Sequence, residues 1–149
     1  MFVGHTAVAL AAKSRAPGAS LGTFLAAAYT CDLLWPIFLL LGIERVRIDP
    51  GNTRFTPLAL KYYPWSHSLV MAIVWGIVGA GIVRLFGRDR RTQALVLLLV
   101  GLSTFMWAGQ PWTTPPPTPH ALAMFGLGAW MFPLWAGWAG RHRIRQEAT

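Results

Sequence analysis

The stretch from Leu21 to Ile43 reads LGTFLAAAYTCDLLWPIFLLLGI, and its only charged residue is Asp32. As a helix it would be about 34 Å long at 1.5 Å per residue, which is enough to cross the ~30 Å hydrocarbon core of a bilayer. The stretch therefore predicts a transmembrane helix. Pro36 lacks a backbone N–H, and its ring crowds the carbonyl group of position 32. We therefore expect this helix to be broken or strongly kinked near Asp32–Pro36.

The chain as a whole has the composition of a membrane protein. Of its 149 residues, 54% are hydrophobic and 12% are charged, whereas ordinary soluble domains carry about 25% charged residues. Disorder is excluded, because it requires low hydrophobicity. A soluble domain of this size would have too much surface to bury so many apolar side chains. The composition predicts a single integral membrane domain over residues 1–149, with the lipid bilayer as its partner.

Three further apolar stretches predict transmembrane helices: Ser66–Phe86, Thr92–Ala108 and His120–Ala139. Phe2–Ala12 is too short to span, because it reaches only about half of the bilayer core. It predicts a re-entrant, interfacial or internally packed helix. Glu44–Tyr63 is polar and predicts an irregular loop. The predicted fold is all-α and polytopic, with four transmembrane helices and a short N-terminal helix.

The net charge of +8 is better explained by membrane topology than by nucleic-acid binding, and we expect no nucleic-acid partner. If both termini are cytoplasmic, nine basic residues lie on the cytoplasmic side and four lie on the opposite side. Cytoplasmic loops carry the excess of lysine and arginine, so the count predicts that both termini face the cytoplasm. The nine are Lys13, Arg15, Arg84, Arg88, Arg90, Arg91, Arg141, Arg143 and Arg145, and the four are Arg45, Arg47, Arg54 and Lys61. Other membrane protein subunits are also possible partners.

Asp32 is the most informative polar residue, because it lies near the middle of its apolar stretch. A carboxylate at the centre of a transmembrane helix costs about 2.5–3.5 kcal/mol on insertion scales, and such residues usually have a partner. Asp32 could bind a metal ion or carry a proton. It could also be hydrogen-bonded to a neighbouring helix, or lie at the end of a shorter helix that stops before Pro36.

His5 and His67 are the other two candidate site residues. His67 follows Pro64 and Ser66, a pattern typical of a helix start that Ser66 would cap. It would then lie in the first turn, where a helix N-terminus favours the neutral imidazole that metal binding needs. His5 lies on the short N-terminal helix, which the turn at residues 14–18 folds back beside the first span. Each histidine could instead be an interfacial or internally hydrogen-bonded side chain.

We expect His5, Asp32 and His67 to converge on one polar pocket, because burying them apart would leave three separate desolvation penalties. Imidazole nitrogen and carboxylate oxygen are zinc ligands, and three protein ligands would leave one coordination position open. Zinc or another divalent metal, weakly bound, is therefore the predicted cofactor. The spacing of the three residues is long-range and does not select one metal.

Five stretches of the sequence resemble small bacterial membrane proteins that are similar to the membrane-bound metal-dependent hydrolases, a family of unknown substrate. The stretches are FVGHTAVAL (2–10), DLLWP (32–36), LGIERV (41–46), PGNT (50–53) and YPWSHS (63–68). The resemblance covers roughly residues 1–102. It implies that His5, Asp32 and His67 match the metal ligands of the family, and that the chain resides in the bacterial inner membrane.

The resemblance fails at residues 103–117, where the family has a further histidine and a further aspartate. Thr104 and Ala108 stand at those positions, and neither side chain replaces a zinc ligand. One hypothesis is a membrane subunit or scaffold with a degenerate metal site and little or no catalysis. The other is an active zinc-dependent hydrolase that uses His5, Asp32 and His67. Functional divergence of residues 103–120 and a disturbed reading frame would both explain the difference.

Overall fold

A computed structural model describes residues 2–51, 57–103 and 118–147. This part of the chain is mostly helical, as predicted. Helices α6 and α7 are separated by residues 104–117, which lie outside the described ranges, and a 3₁₀ turn at Gly128–Trp130 precedes α8. The helices are α1 (Phe2–Arg15), α2 (Leu21–Ala28), α3 (Thr30–Leu40), α4 (Pro64–His67), α5 (Leu69–Leu85), α6 (Arg90–Ser103), α7 (Pro119–Leu127) and α8 (Met131–Glu147).

The predicted break in the first apolar stretch is present, but its predicted position is wrong. Helices α2 and α3 are bent by 60° relative to each other, and the break lies at Tyr29 rather than at Pro36. Pro36 lies within α3. At the bend the carbonyl oxygen of Ala28 accepts a hydrogen bond from the ring of His5, with 2.6 Å between oxygen and Nδ1. A side chain that inserts into the helical hydrogen-bond ladder is a known cause of sharp kinks.

The N-terminal helix α1 is internally packed, one of the three alternatives that its length allows. It lies against α2 and buries Ala9 and Ala12 there. At the turn between the two helices, the Nζ atom of Lys13 donates to the carbonyl of Ala19 at 2.7 Å, and also to that of Pro17. The basic side chain thereby satisfies carbonyl groups that the end of α1 and the turn leave open.

The prediction of an irregular loop at Glu44–Tyr63 is wrong, because this segment contains a two-stranded β-hairpin within an otherwise helical fold. Strands β1 (Arg45–Ile48) and β2 (Leu58–Tyr62) pair antiparallel, with Val46 opposite Leu60. Val46 is buried between two exposed arginines, which is the alternation expected of a half-buried strand. Four residues are too few for this pattern to stand out in the sequence. The hairpin packs against α3 and α7.

The prediction of four transmembrane helices is also wrong by helix length and composition. In the described ranges, one helical stretch, Pro119–Arg141, is long and apolar enough to cross a membrane, and the bent pair α2–α3 makes a second if it counts as one span. Helix α5 is apolar but only 17 residues long, about 25 Å, which is short of the ~30 Å core. The third predicted span, Thr92–Ala108, leaves the described ranges after Ser103.

Helices α2 and α8 approach so closely that their backbones nearly touch. A Cβ atom on Gly22 would lie 2.5 Å from the carbonyl oxygen of Pro133 and 2.8 Å from the amide nitrogen of Gly137. Any side chain at position 22 would force the helices apart. Small residues at helix crossings allow this kind of contact in membrane proteins. Because α2 ends at the bend, its seating on α8 fixes where the carbonyl of Ala28 lies.

Candidate functional site

His5 is buried, with 1% of its surface exposed. The hydrogen-bond partner of one ring nitrogen determines whether that nitrogen carries a hydrogen. The Nδ1 atom lies 2.6 Å from the carbonyl oxygen of Ala28. A carbonyl oxygen only accepts hydrogen bonds, so Nδ1 must carry a hydrogen. In a neutral imidazole, the lone pair is then on Nε2. The ring position is further fixed by Tyr29, whose ring centre is 4.7 Å away.

The Nε2 atom of His5 faces the carboxylate of Asp32, with 3.2 Å between Nε2 and Oδ2. In the described part of the chain this buried nitrogen makes no hydrogen bond. The bend at Tyr29 places Asp32 in the first turn of α3. A helix N-terminus favours a negative charge, so the carboxylate costs less here than in the middle of a continuous helix.

Tyr29 connects the bend to α1 and is a residue that sequence reasoning missed. Its hydroxyl group lies 3.0 Å from the hydroxyl of Thr6, and Asp32 acts on it electrostatically. The sequence offers one signal: a tyrosine in an apolar helix needs a partner for its hydroxyl group. That signal does not say which partner, because Thr6 reaches it only after α1 folds back on α2.

His67 ends the one-turn helix α4, and its Nδ1 atom lies 2.6 Å from the hydroxyl oxygen of Ser66. Its Nε2 atom is buried, and Asp32 acts on the ring electrostatically. The rings of Trp35 and Tyr63 make edge-to-face contacts with it. The expectation that Ser66 caps the following helix is wrong. Ser68 is the cap of α5, because its hydroxyl oxygen accepts from the backbone N–H of Met71 at 3.2 Å.

Ser66 is instead bound to Glu44, the second residue that sequence reasoning missed. Glu44 is 1% exposed. Its Oε1 accepts from the backbone N–H of Ser66 and its Oε2 from the Ser66 hydroxyl, both at 2.7 Å. No lysine or arginine whose side chain the structure describes forms an ion pair with it. In the sequence Glu44 is one of several charges in a polar loop, and only the fold of the hairpin buries it.

The structure brings together two of the three predicted ligands, His5 and Asp32, and places His67 within electrostatic reach of the same carboxylate. Over the described ranges, no three histidine, cysteine, aspartate or glutamate side chains form a group that could hold a metal ion as they stand. Thr104 and Ala108, where the resemblance leads one to expect further ligands, lie outside those ranges. His120 is exposed at the start of α7.

The comparisons with known proteins return no relative. None of the protein-family models, curated proteins or solved structures matches this chain. The resemblance to the membrane-bound hydrolases therefore stays a prediction, and the function has to be argued from the geometry around His5, Asp32 and His67.

Proposed function

We propose that this chain is an integral membrane protein, related to the membrane-bound metal-dependent hydrolases, that holds a divalent metal ion at His5, Asp32 and His67. The observation that carries the proposal is the buried Nε2 atom of His5, which faces a carboxylate oxygen without a hydrogen bond. The other ring nitrogen is held by a backbone carbonyl. Histidines that bind metals almost always have this second contact, which sets the tautomer and orients the ring.

The distance between the two groups fits two zinc ligands. Zinc binds imidazole nitrogen and carboxylate oxygen at about 2.0–2.1 Å in tetrahedral geometry, which places neighbouring ligand atoms about 3.3 Å apart. The observed separation of Nε2 and Oδ2 is 3.2 Å. Hydrogen bonds between a charged imidazole and a carboxylate are shorter, about 2.7–2.9 Å. The separation therefore fits two ligands of one ion, and it also lies at the long end of the range for a direct N–H···O contact.

His67 is the proposed third ligand, because the Asp32 carboxylate acts electrostatically on its ring. Because Thr104 and Ala108 stand where the resemblance implies two further ligands, we expect weak binding, and little or no catalysis. When bound, zinc supplies Lewis acidity towards a carbonyl or phosphoryl oxygen. Among the described residues near the pair, we identify no side chain placed as a general base. A membrane subunit that keeps the metal site of an enzyme fits these features better than an active hydrolase does.

The membrane location is supported by the apolar side chains that the fold leaves exposed. On α5, Val70 is 70% exposed and Ile77 is 60% exposed, and on α8, Trp135 is 67% exposed. Apolar patches of this kind mark lipid or protein contacts. We propose that they face the lipid of the bacterial inner membrane, with both termini cytoplasmic and the β-hairpin outside, as the distribution of lysine and arginine indicates.

Metal binding is tested by equilibrium dialysis of the purified, detergent-solubilised protein against zinc, followed by elemental analysis. We expect about one zinc ion per chain, lost in His5→Ala and in Asp32→Asn. His120→Ala is the matched control, because it removes an exposed histidine and should leave the stoichiometry unchanged. A wild-type protein that binds no zinc would contradict the proposal.

A second candidate function is a scaffold that binds no metal. It is favoured because only two of the three predicted ligands, His5 and Asp32, are in contact. In a scaffold, His5 would be an imidazolium paired directly with Asp32, and the pair would serve only to join α1 to α3. The dialysis experiment separates the two functions. If the wild type binds no zinc, the scaffold function is supported. If it binds zinc and loses it in Asp32→Asn, the pair of His5 and Asp32 does more than join α1 to α3.

The topology is tested with single cysteines, because Cys31 is buried and should give little background labelling. Lys61→Cys, at the exposed end of the hairpin, should react with an impermeant maleimide in intact cells. Arg90→Cys, at the start of α6, should react only after lysis. The reverse pattern would invert the topology, and labelling of both sites in intact cells would contradict the membrane location.

A further inference from the structure

Three polar groups from two segments form an unbroken chain of hydrogen bonds behind His67. The carboxylate of Glu44 accepts from the Ser66 hydroxyl at 2.7 Å, and that hydroxyl oxygen lies 2.6 Å from Nδ1 of His67. Both Glu44 and Ser66 are fully or almost fully buried, at 1% and 0% exposure. The backbone N–H of Ser66 occupies the other carboxylate oxygen, so the carboxylate is held in one orientation.

The positions of the hydrogens in this chain follow from counting donors. A serine hydroxyl has one hydrogen and can donate only once. Because that hydrogen goes to Oε2 of Glu44, the hydroxyl oxygen can only accept from His67. The Nδ1 atom of His67 must then carry a hydrogen, and in the neutral ring the lone pair is on Nε2.

We propose that Glu44 is a positioning residue that acts through Ser66 to fix the tautomer of His67, so that Nε2 presents its lone pair. The use of that lone pair as a ligand rests on the metal site proposed above, whereas the tautomer itself does not. Chains of this kind, in which a carboxylate orients a histidine, tune metal ligands, and their loss typically weakens metal binding 10–100-fold.

The variant Glu44→Gln tests the predicted positions of the hydrogens on Ser66 and His67. The backbone N–H of Ser66 requires an acceptor, so the amide oxygen of the glutamine must face it. The amide NH₂ group then faces the Ser66 hydroxyl and can only donate. The hydroxyl hydrogen is displaced towards His67, Nδ1 becomes an acceptor, and the hydrogen of the neutral ring moves to Nε2. The substitution keeps the shape and both contacts but inverts the tautomer.

The measurement is long-range ¹H–¹⁵N NMR of protein with ¹⁵N-labelled histidine, in detergent and with metal removed. The correlation pattern of each ring reports which nitrogen carries the hydrogen, and the variant His67→Gln assigns the signal. We expect the Nδ1–H form in the wild type, the Nε2–H form in Glu44→Gln, and loss of a single form in Ser66→Ala. His5 is the internal control, because its partner is a backbone carbonyl and its tautomer should be unchanged.

An Nε2–H form of His67 in the wild type would overturn the proposal, and this result needs no variant to fold. An unchanged tautomer in a folded Glu44→Gln variant would overturn it as well. A second readout is the Kd for zinc, which we expect to rise about 10–100-fold in Glu44→Gln. If no zinc binds to the wild type but the tautomer inverts, the metal site fails while the role of Glu44 stands.

Discussion

The two histidines of the candidate site are oriented by different means. His5 donates from Nδ1 to the backbone carbonyl of Ala28, whereas His67 contacts the side chain of Ser66, which in turn is held by Glu44. A backbone carbonyl is present whatever residue stands there, so the orientation of His5 depends on how the helices are packed. The orientation of His67 depends on two particular side chains. The orientation of His5 should therefore change when the helix packing changes, and the orientation of His67 when the side chain of Ser66 or Glu44 is replaced.

The largest expected effect is the loss of zinc affinity when His5 is removed, compared with the loss when His67 is removed. His5→Ala should lower the affinity for zinc by more than about 100-fold, beyond the 10–100-fold typical of supporting residues, because it removes one member of the pair already in contact. His67→Ala should cost less, since the pair of His5 and Asp32 remains. Isothermal titration of both variants gives the comparison. Equal losses would mean that the two histidines contribute alike.

The packing half of the comparison is tested at Gly22, where α2 crosses α8. Gly22→Ala should lower the free energy of unfolding by about 1–3 kcal/mol, the usual cost of overpacking, because its Cβ would meet backbone atoms at 2.5–2.9 Å. Gly18→Ala is the matched control, since a Cβ there has nothing within 4 Å. Thermal or denaturant unfolding in detergent measures both. Equal stability of the two variants would show that the close crossing is relaxed in solution.

The chemical half of the comparison is tested with two serines that are two positions apart. Ser66→Ala should cost about 1–3 kcal/mol, because it leaves a buried carboxylate oxygen without its donor. Ser68→Ala removes the cap of α5 and should cost about 0.5–2 kcal/mol. The unfolding experiment should therefore rank Ser66→Ala as the more damaging. A larger loss at Ser68 would imply that Glu44 finds another donor.

The smallest effect is expected at Asp89, a carboxylate that also accepts from a backbone N–H but lies on the surface. Its Oδ1 accepts from the N–H of Thr92 at 2.8 Å, and hydrogen bonds from Thr92 hold the pKa of Asp89 below its ordinary value of 3.8. A lowered pKa contributes stability above that ordinary value, which is lost as the pH falls through the folded-state pKa. The difference in Tm between the wild type and Asp89→Asn should therefore shrink below about pH 4. A constant difference would show that Asp89 does not titrate with unfolding.

The sequence predicted one pair of tertiary partners, His5 and Asp32, but not the position of the bend or the partners of Tyr29 and Glu44. A break in the first apolar stretch is predicted from Pro36, but Pro36 lies within α3 and the bend lies at Tyr29, where the ring of His5 reaches the carbonyl of Ala28. His5 and Asp32 were predicted as members of one site from the cost of burying each alone, and they are in contact. The types of residue and the direction in which α1 folds back are enough to predict this contact.

Glu44 shows where such reasoning ends. Its burial depends on the hairpin, and the hairpin depends on two short strands whose alternation is hidden among loop residues. The number of spans was overestimated for a related reason. Mean hydropathy counts apolar residues, but it does not show where a helix such as α5 begins and ends.

The short sequence distance between His5 and Ala28 has a consequence for how the protein is made. Their hydrogen bond spans 23 residues, and the groups in direct contact with the His5 ring, on Ala28, Tyr29 and Asp32, all precede α4 in the sequence. Chains emerge from the ribosome at about 5–20 residues per second, and contacts close in sequence form early. This helical hairpin can therefore assemble before β1 has emerged from the ribosome. Where the chain enters a bilayer during synthesis, His5 and Asp32 would enter already paired. Glu44, in contrast, gains its hydrogen-bond donors only after Ser66 has emerged.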